Sequence, residues 1–321
     1  MPNSRRELIQ AAGAIAVSAA VAGLAKADEG DQVRLFPGFK AAKIETSGAT
    51  INVVSGGQGP PLLLLHGAPQ SLATWYKIAP QLVKEYTVVA ADLRGYGDSS
   101  KPPDAPNHIN YSKRAMALDG VEVMHHFGFD KFAVVGHDRG GRVAHRMALD
   151  HADKLSKVAV IDIVPTYKLY HNVTREFATN YYHWFFFIQP APFPETLLNN
   201  SIDFYMGRGP ADAMGRGAGD AHAEYVRCFK NPATVHAMCE DYRASASIDL
   251  EHDEADLNRK IECPFLTLWS ERGAMGRQYD VLAAWRERAA NVSGKALPGG
   301  HSLQEDVPDQ TLAEIQAFLK A

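Results

Sequence analysis

Cysteine is scarce in this chain, which has three cysteines among its 321 residues. Cys228, Cys239 and Cys263 are an odd set without CxxC spacing, so neither a disulfide framework nor a zinc-ligand pattern is predicted. A disulfide between Cys228 and Cys239 is conceivable in an oxidising compartment, but we expect free, buried thiols. We predict no metal ion and no cofactor.

Excess charge of one sign is also missing. The formal net charge is -4 and no run of five or more basic residues occurs, so nothing indicates a nucleic-acid partner. The sequence shows no low-complexity tract and no internal repeat. With 46% hydrophobic residues, the chain can form one large domain, with or without an insertion.

Long apolar runs are limited to one near the N-terminus, AAGAIAVSAAVAGLA (11–25), which is too short for a membrane span. It follows Arg5 and Arg6 and ends in the small-x-small pattern Ala25-Lys26-Ala27, the order of an export signal. The stretch 4–9 resembles a twin-arginine signal. We therefore predict that residues 1–27 direct the protein to the periplasm without stable membrane insertion, or leave it cytoplasmic if the signal is not used. An amphipathic N-terminal helix is the alternative.

Short apolar runs alternate with segments of helical periodicity along much of the chain. The predicted buried strands are 51–54, 62–66, 87–92, 132–135, 157–162 and 265–269. The helical segments between them are 71–85, 111–128 and 141–152. This alternation predicts an α/β fold with a mostly parallel sheet covered on both faces.

The alternation stops after Asp162 and resumes at about residue 263. Between them the sequence is aromatic and helical in character, as in NYYHWFFFIQ (180–189). A separate C-terminal domain would not explain the return of the strand pattern, so we predict an insertion. The predicted units are a core of 32–163 and 261–321 and a helical cap of 164–260.

The segment GHDRG (136–140) has the form of a nucleophile elbow and lies between a predicted strand and a predicted helix. Its glycines permit the sharp turn that exposes the central side chain. Asp138 at the centre needs no base, because a carboxyl group is ionised at neutral pH. A carboxylate nucleophile forms an ester with the carbon it attacks, and water can cleave such an ester. The segment HGAP (66–69), Asp162 and GGH (299–301) follow the order expected for the rest of such a site.

These motifs resemble the haloacetate/fluoroacetate dehalogenase family of the α/β-hydrolase superfamily. The segments that carry the resemblance are HGAPQ (66–70), ADLRGYGDS (91–99), GHDRGGR (136–142), DIVPTY (162–167), YHWFFFIQPAPFPE (182–195), DYRASASIDLEHD (241–253) and GGH (299–301). The resemblance implies the α/β-hydrolase fold, with a mostly parallel eight-stranded sheet and an inserted helical cap. It also implies hydrolysis of a small haloacid, namely haloacetate (fluoroacetate or chloroacetate), to glycolate and halide through an aspartyl ester, and a homodimer as a possible assembly.

The resemblance gives each motif residue a role. Asp138 would be the nucleophile and His301 the base, Arg139 and Arg142 would bind the substrate carboxylate, and His183, Trp184 and Tyr242 would bind the halide. The backbone amides of Ala68 and Arg139 would hold the oxyanion. The alternatives are that the arginines pair with acidic residues elsewhere and that the aromatic residues are plain core.

Two positions could supply the acid that orients His301. Many relatives carry it in a W-G-x-x-D pattern, but Gly273 occupies that place here. Asp162, at the end of a predicted strand, is the position used by the dehalogenases that this chain resembles, so the resemblance implies that Asp162 is the acid, with Glu271 as the runner-up. Relatives also commonly have a tryptophan further along the cap, whereas 207–224 has no aromatic residue, which leaves room for larger 2-haloacids.

Two other functions compete with haloacid hydrolysis. An epoxide hydrolase would share the aspartate nucleophile and would use Tyr242 with Tyr181 or Tyr182 to protonate the epoxide oxygen, but it would give Arg139 and Arg142 no role. A hydrolase-fold protein that only binds a small acid would tend to lack part of the triad, and none is missing here.

Overall fold

The structure is a computed structural model that describes residues 34–208 and 221–321. The predicted export signal at 1–27, and most of the segment 207–224, lie outside the described residues. Within the described part, no helix combines the length and apolar character that crossing a bilayer requires. All three cysteines are free thiols, and Cys228 and Cys239 are buried.

Eight strands form one sheet and confirm the predicted fold class. They are β1 (Lys40–Glu45), β2 (Thr50–Gly56), β3 (Pro61–Leu65), β4 (Thr87–Ala91), β5 (Phe132–His137), β6 (Leu155–Ile161), β7 (Phe265–Ser270) and β8 (Val292–Leu297). The strand order is β1-β2-β4-β3-β5-β6-β7-β8. Strand β2 pairs antiparallel with β1 and β4, and the other pairs are parallel.

Alternate residues of the central strands enter two separate apolar clusters, one on each face of the sheet. One cluster includes Val53, Leu63, Leu65, Val89, Val134 and Val160. The other includes Val54, Leu62, Leu64, Val88, Val135 and Ile161. Because side chains alternate between the faces of a strand, these near-continuous apolar runs are what a sheet covered on both sides requires.

The α-helices before and after the predicted cap pack around this sheet. Those that precede it are α1 (Ala79–Leu82), α2 (Lys113–His126) and α3 (Arg139–Asp150). Those that follow it are α12 (Ala274–Gln278), α13 (Val281–Arg286), α14 (Leu303–Asp306) and α15 (Pro308–Lys320).

Between β6 and β7 the described residues contain helices and no strand. These helices are α4 (Thr166–His171), α5 (Arg175–Asn180), α6 (Tyr182–Phe186), α7 (Phe193–Asn199), α8 (Ile202–Arg208), α9 (His222–Phe229), α10 (Pro232–Ser245) and α11 (Ile248–Ala255). We refer to α4 to α11 as the cap helices.

The predicted helix at 71–85 is wrong in its length. The segment forms a 3-10 turn at Leu72–Trp75 and then the short helix α1. The Ser71 side chain accepts a hydrogen bond from the Ala73 amide and starts the first turn. Pro80 lies in the first turn of α1, where its missing N–H does no harm, but it could not lie inside one continuous helix.

The turn from β5 into α3 brings three backbone segments into close approach. A Cβ on Gly136 would lie 2.3 Å from the Gly140 carbonyl oxygen. A Cβ on Gly140 would lie 2.5 Å from the carbonyl oxygens of both Leu65 and His66. Since backbone atoms cannot move aside as a flexible side chain can, only glycine fits at either position.

We predict that Gly140→Ala lowers the free energy of unfolding by about 2 kcal/mol or more, because the added methyl group meets two backbone carbonyls. Gly207→Ala is the matched control, since a Cβ there meets nothing within 4 Å and alanine in a helix stabilises by up to about 1 kcal/mol. Urea unfolding of both variants measures the difference. Equal stabilities would contradict the proposed steric constraint.

Candidate active site

Asp138 lies at the turn between β5 and α3 with its side chain buried. Its backbone has φ 45 and ψ -112, an uncommon conformation for a non-glycine residue that is typical of functional turns. Gly67 lies against it, since a Cβ on this glycine would come 2.6 Å from the Cβ of Asp138. The Ala68 amide donates a hydrogen bond of 3.1 Å to Asp138 Oδ2.

His301 and Asp162 form the second part of the site. His301 follows β8, and its Nδ1 lies 2.6 Å from Asp162 Oδ2. Asp162 follows β6, and its other oxygen accepts the Ser270 amide hydrogen at 2.9 Å. The aspartate therefore holds one ring nitrogen of His301, which leaves Nε2 as the nitrogen available to the reaction.

Glu271, the runner-up for the acid, has an exposed side chain. Its backbone N–H donates to the Leu297 carbonyl, so this hydrogen bond, which continues the pairing of β7 with β8, fixes the backbone position of Glu271. The contact between His301 and Asp162 favours Asp162 as the orienting acid.

His137 connects the segment around His301 to the HGAPQ segment. One ring nitrogen lies 2.9 Å from the His301 carbonyl oxygen and the other lies 3.0 Å from Gln70 Oε1. Burial, then the neighbouring His301 charge, lowers the pKa of His137 to about 3. The ring is therefore neutral at physiological pH and serves as a structural link between the HGAPQ segment and the His301 loop.

The pKa values of Asp138 and His301 shift in opposite directions, so that each group favours its charged form. Burial acts to raise the pKa of Asp138, but the charges of His301, His137, Arg139 and Arg142 outweigh it and hold this pKa below its ordinary value. Burial acts to lower the pKa of His301, but the hydrogen bond and charge of Asp162, and then the charge of Asp138, raise it above 6.5. Asp138 is therefore ionised at neutral pH and close enough to His301 for each to influence the other.

Arg139 is fully buried and pairs with an acidic residue of the cap helices, as one of the sequence alternatives held. Its Nε donates to Asp241 Oδ2 at 2.8 Å and its Nη2 to Asp241 Oδ1 at 2.7 Å. The third guanidinium nitrogen, Nη1, is buried without a hydrogen-bond partner in the described part of the chain. Pairing with Asp241 thus occupies one edge of the guanidinium and leaves one corner open.

Arg142 lies one helical turn further along α3 and is also buried. Its Nη1 donates to the Val164 carbonyl at 3.1 Å and to Thr166 Oγ1 at 2.9 Å, both neutral oxygens. Its Nε is buried and has no partner among the described residues. Arg139 therefore retains Nη1, which carries two N–H bonds, and Arg142 retains Nε, which carries one, without partners among the described residues.

The predicted halide-binding residues come together in the cap helices. The rings of Trp184 and Tyr242 are perpendicular with centroids 5.7 Å apart, and the ring of His183 lies 6.0 Å from that of Tyr242. The Arg139 guanidinium lies 4.2 Å from the Tyr242 centroid, and that of Arg142 lies 4.5 Å from the Trp184 ring. All three predicted residues are buried. Tyr242 and Trp184 therefore contact the arginines in a part of the structure that is shielded from solvent.

Burial, and then the negative charge of Asp138, raises the pKa of Tyr242 well above its usual value. Its hydroxyl group is therefore protonated at neutral pH and available as a hydrogen-bond donor. Of the two tyrosines considered as its partner in an epoxide hydrolase, Tyr182 is 51% exposed and is excluded from the site. Tyr181 is half-buried, and burial followed by the charges of Asp162 and Asp138 raises its pKa as well.

A cavity of about 650 Å³ opens on the His301 side of the site. Its lining includes Asp162, Tyr181, Ser270, Arg272, Arg277 and His301. It gives solvent a route to the histidine, which the hydrolysis of an ester would need.

One group of side chains has spacing compatible with a metal ion. Ligand atoms of Asp104, His236 and Glu240 lie within 4.8 Å of one another. However, Arg243 Nη1 donates to Glu240 at 2.9 Å and to Glu195 at 2.7 Å. We interpret the cluster as an ion-pair network between α10 and the loop before α2, since the guanidinium already supplies positive charge.

The sequence reasoning missed Asp241, Gln70 and His137. Asp241 directly precedes Tyr242 and has no exposed surface. The signal available in the sequence was its place next to a predicted site residue. An aspartate buried in such a place needs a partner of opposite charge. Gln70 was part of a quoted motif, but no role was given to it.

The model of the alpha/beta hydrolase fold family matches residues 60–308 of this chain. A fluoroacetate dehalogenase of Burkholderia sp is 46% identical over 293 residues, which cover 89% of this chain and 95% of that protein. A soluble epoxide hydrolase of Corynebacterium sp. (strain C12) is 32% identical over 269 residues, covering 82% and 91%. The solved structure of an alpha/beta hydrolase from Nostoc sp PCC 7120 superposes with a TM-score of 0.83 at 55% identity, covering 88% and 98%.

We predict that Asp162→Asn lowers the pKa of His301. The variant removes the hydrogen-bonded charge that contributes most to raising this pKa and leaves only the charge of Asp138 to oppose burial, which lowers it. Glu271→Gln is the control and should leave the pKa of His301 unchanged. Imidazole titration followed by NMR measures both. If Glu271→Gln caused the larger fall, Asp162 would not be the orienting acid.

Proposed function

The chain belongs to the alpha/beta hydrolase fold family, and from this premise we propose that it is a hydrolytic dehalogenase that converts haloacetate to glycolate and halide. Fluoroacetate and chloroacetate are the substrates proposed. The similarity to the fluoroacetate dehalogenase of Burkholderia sp supports this assignment, and so does the arrangement of charged groups around Asp138.

The observation that carries the proposal is the pair of unsatisfied guanidinium N–H groups. Arg139 Nη1 and Arg142 Nε are buried without a partner among the described residues. A buried donor that stays unpaired costs about 1 to 3 kcal/mol, and more when it is charged. A substrate carboxylate has two oxygens and would satisfy one N–H from each arginine, whereas an epoxide has no group that could do so.

In the first chemical step, Asp138 attacks the carbon that carries the halogen. Oδ2 is held by the Ala68 amide, which leaves Oδ1 as the attacking oxygen. The new C–O bond forms as the carbon–halogen bond breaks, and the bonding electrons leave with the halide. Trp184 N–H and Tyr242 O–H are suited to stabilise the departing anion, because donors in a buried site act with little screening.

In the second step, His301 Nε2 takes a proton from water, and the resulting hydroxide attacks the Asp138 ester carbonyl. The oxyanion develops on Oδ2, where the Ala68 amide already donates, and the Arg139 amide at the start of α3 is the second proposed donor. Collapse of this intermediate breaks the bond between Asp138 Cγ and Oδ1, which leaves as the glycolate oxygen and takes the proton held by His301. The Asp138 carboxyl group, now with one oxygen from water, loses its proton to solvent and is again a carboxylate.

The charge of Asp138 links the two steps. In the free protein this charge raises the pKa of His301, so the histidine holds its proton more tightly. Esterification neutralises Asp138 and removes that contribution. His301 therefore loses its own proton more readily, so its neutral form, which alone can accept a proton from water, is more populated at the stage of the cycle when a base is needed.

Epoxide hydrolysis is the second candidate. The Corynebacterium relative and the protonated Tyr242 and Tyr181 beside Asp138 favour it, and the unsatisfied arginines oppose it. The periplasmic location and the homodimer stay predictions of the sequence alone, because no described residue bears on them.

We predict that His301→Asn, incubated with chloroacetate or fluoroacetate, gains one carboxymethyl group on the peptide that contains Asp138. Ester formation does not need the histidine, but ester hydrolysis does. Intact-protein and peptide mass spectrometry measure the adduct, and halide release by the unmodified protein measures turnover. Asp138→Asn is the control and should show neither the carboxymethyl adduct nor halide release.

An epoxide gives a different adduct in the same experiment. Styrene oxide would leave a hydroxyphenylethyl ester on Asp138 of the His301→Asn variant if the protein were an epoxide hydrolase. That adduct, without one from either haloacetate, would refute the proposed function.

We predict that the rate of ester hydrolysis rises as pH increases through the pKa of His301, because only the neutral imidazole accepts a proton. The midpoint of this rise should lie below the pKa of His301 in the free protein, since esterification removes the Asp138 charge that raises it. Single-turnover rates against pH, compared with an NMR titration of the free protein, test this. A midpoint at or above the free-protein value would contradict it.

A further inference from the structure

Asp241 is the one acidic residue in the described part of the chain whose side chain pairs with Arg139, and the proposed chemistry gives it no direct role. It lies on α10 immediately before Tyr242. Its carboxylate is fully buried. Burial acts to raise the pKa of Asp241, but Arg139 and Lys113 hold it far below the ordinary range, so the group is always ionised.

The contacts of Asp241 fix the orientation of the Arg139 guanidinium, both its plane and its rotation within that plane. Two parallel bonds reach the carboxylate from Nε and Nη2, and Nη2 also donates to the Asp241 backbone carbonyl at 2.9 Å. Forked bonds of this kind restrict a guanidinium more than a single bond can. Since they occupy one edge, the nitrogen left over is Nη1, which lacks a partner among the described residues.

The carboxylate of Asp241 is itself held from two further elements. Tyr96, in the loop after β4, donates its hydroxyl hydrogen to Asp241 Oδ2 at 2.7 Å. Lys113, at the start of α2, donates to Oδ1. Asp241 therefore cannot swing away from Arg139 without breaking contacts with the core.

We propose that Asp241 is a positioning residue that presents Arg139 Nη1 to the substrate carboxylate, and so sets the preference for substrates that carry a carboxylate. This inference rests on the proposed function, because it assumes that Arg139 and Arg142 hold a carboxylate. It adds that α10 acts on both ends of the substrate, through Tyr242 at the halogen and through Asp241 and Arg139 at the carboxylate.

A purely electrostatic role for Asp241 would have the opposite signature. Removing its charge would leave Arg139 and Lys113 uncompensated, make the site more positive and tighten the binding of an anion. Loss of positioning would instead weaken that binding. The sign of the change in KM therefore separates the two roles.

The test compares Asp241→Asn with Asp249→Asn. Asp249 is buried and contacts Lys113 through Oδ1 and Oδ2, so its variant removes a charge from the same network while the Arg139 fork stays intact. We expect Asp241→Asn to raise KM for chloroacetate by on the order of 10- to 100-fold, the range for a lost charged hydrogen bond, with a smaller change in kcat. Asp249→Asn should leave KM unchanged or lower it.

A neutral substrate distinguishes the proposed role from a general structural defect, because such a defect would slow the reaction of neutral and charged substrates alike. Chloroacetamide offers no carboxylate, so its rate of Asp138 alkylation should be the same in Asp241→Asn as in the unmodified protein. An equal loss with chloroacetamide and chloroacetate, or a KM for chloroacetate that falls, would overturn the proposal.

Two further measurements keep the inference separate from folding and from the proposed function. Tyr96→Phe removes only the hydroxyl that orients Asp241, so it should raise KM for chloroacetate a few-fold even if Asp241→Asn does not fold. Acetate has no halogen, and calorimetry should show weaker acetate binding to either variant than to the unmodified protein. Unchanged acetate binding would overturn the role of Asp241, whereas absence of haloacetate turnover with weakened acetate binding would overturn only the proposed reaction.

Discussion

The strained turn at Asp138 is the constraint on which the rest of the site depends. Its positive φ directs the carboxylate away from the sheet at the point where β5 ends and α3 begins. The turn exists because Gly136 and Gly140 let three backbone segments approach within distances that no side chain would allow. The same turn places Arg139 and Arg142 in the first turn of α3, so the nucleophile and the cations beside it are positioned by one local geometry.

Burial of charge is the second feature that organises the molecule. Asp138, Arg139, Arg142 and Asp241 are all nearly inaccessible to water, where an unpaired ion would be costly. Asp241 compensates Arg139, while Arg142 donates to neutral oxygens and is near enough to Asp138 for the two charges to interact. In the proposed reaction the negative charge of Asp138 passes to the halide, and the raised pKa of His301 falls as it does so. The buried charges would thus change together through the cycle.

Much of the fold could be predicted from the sequence, because the central strands are apolar on both faces and the nucleophile turn needs glycine at fixed spacing. Strands β1 and β8 were not identified individually, since both lie at sheet edges and carry exposed residues. The helix predicted at 71–85 was wrong because Pro80 divides the segment. The residues expected to bind halide and carboxylate come together in the structure, and the functions of these groups stay proposals.

The sequence by itself determined the fold family, the nucleophile turn and the residue types that the chemistry needs, because these depend on local spacing and on the chemistry of single side chains. It left open whether Asp162 or Glu271 orients His301 and whether the arginines pair with acids elsewhere. Only the tertiary structure decided which contacts form: it places Asp162 against His301 across 139 positions of sequence and Asp241 against Arg139 across 102. Contacts over such separations are set by how the cap helices and the strand ends pack, which no local pattern encodes.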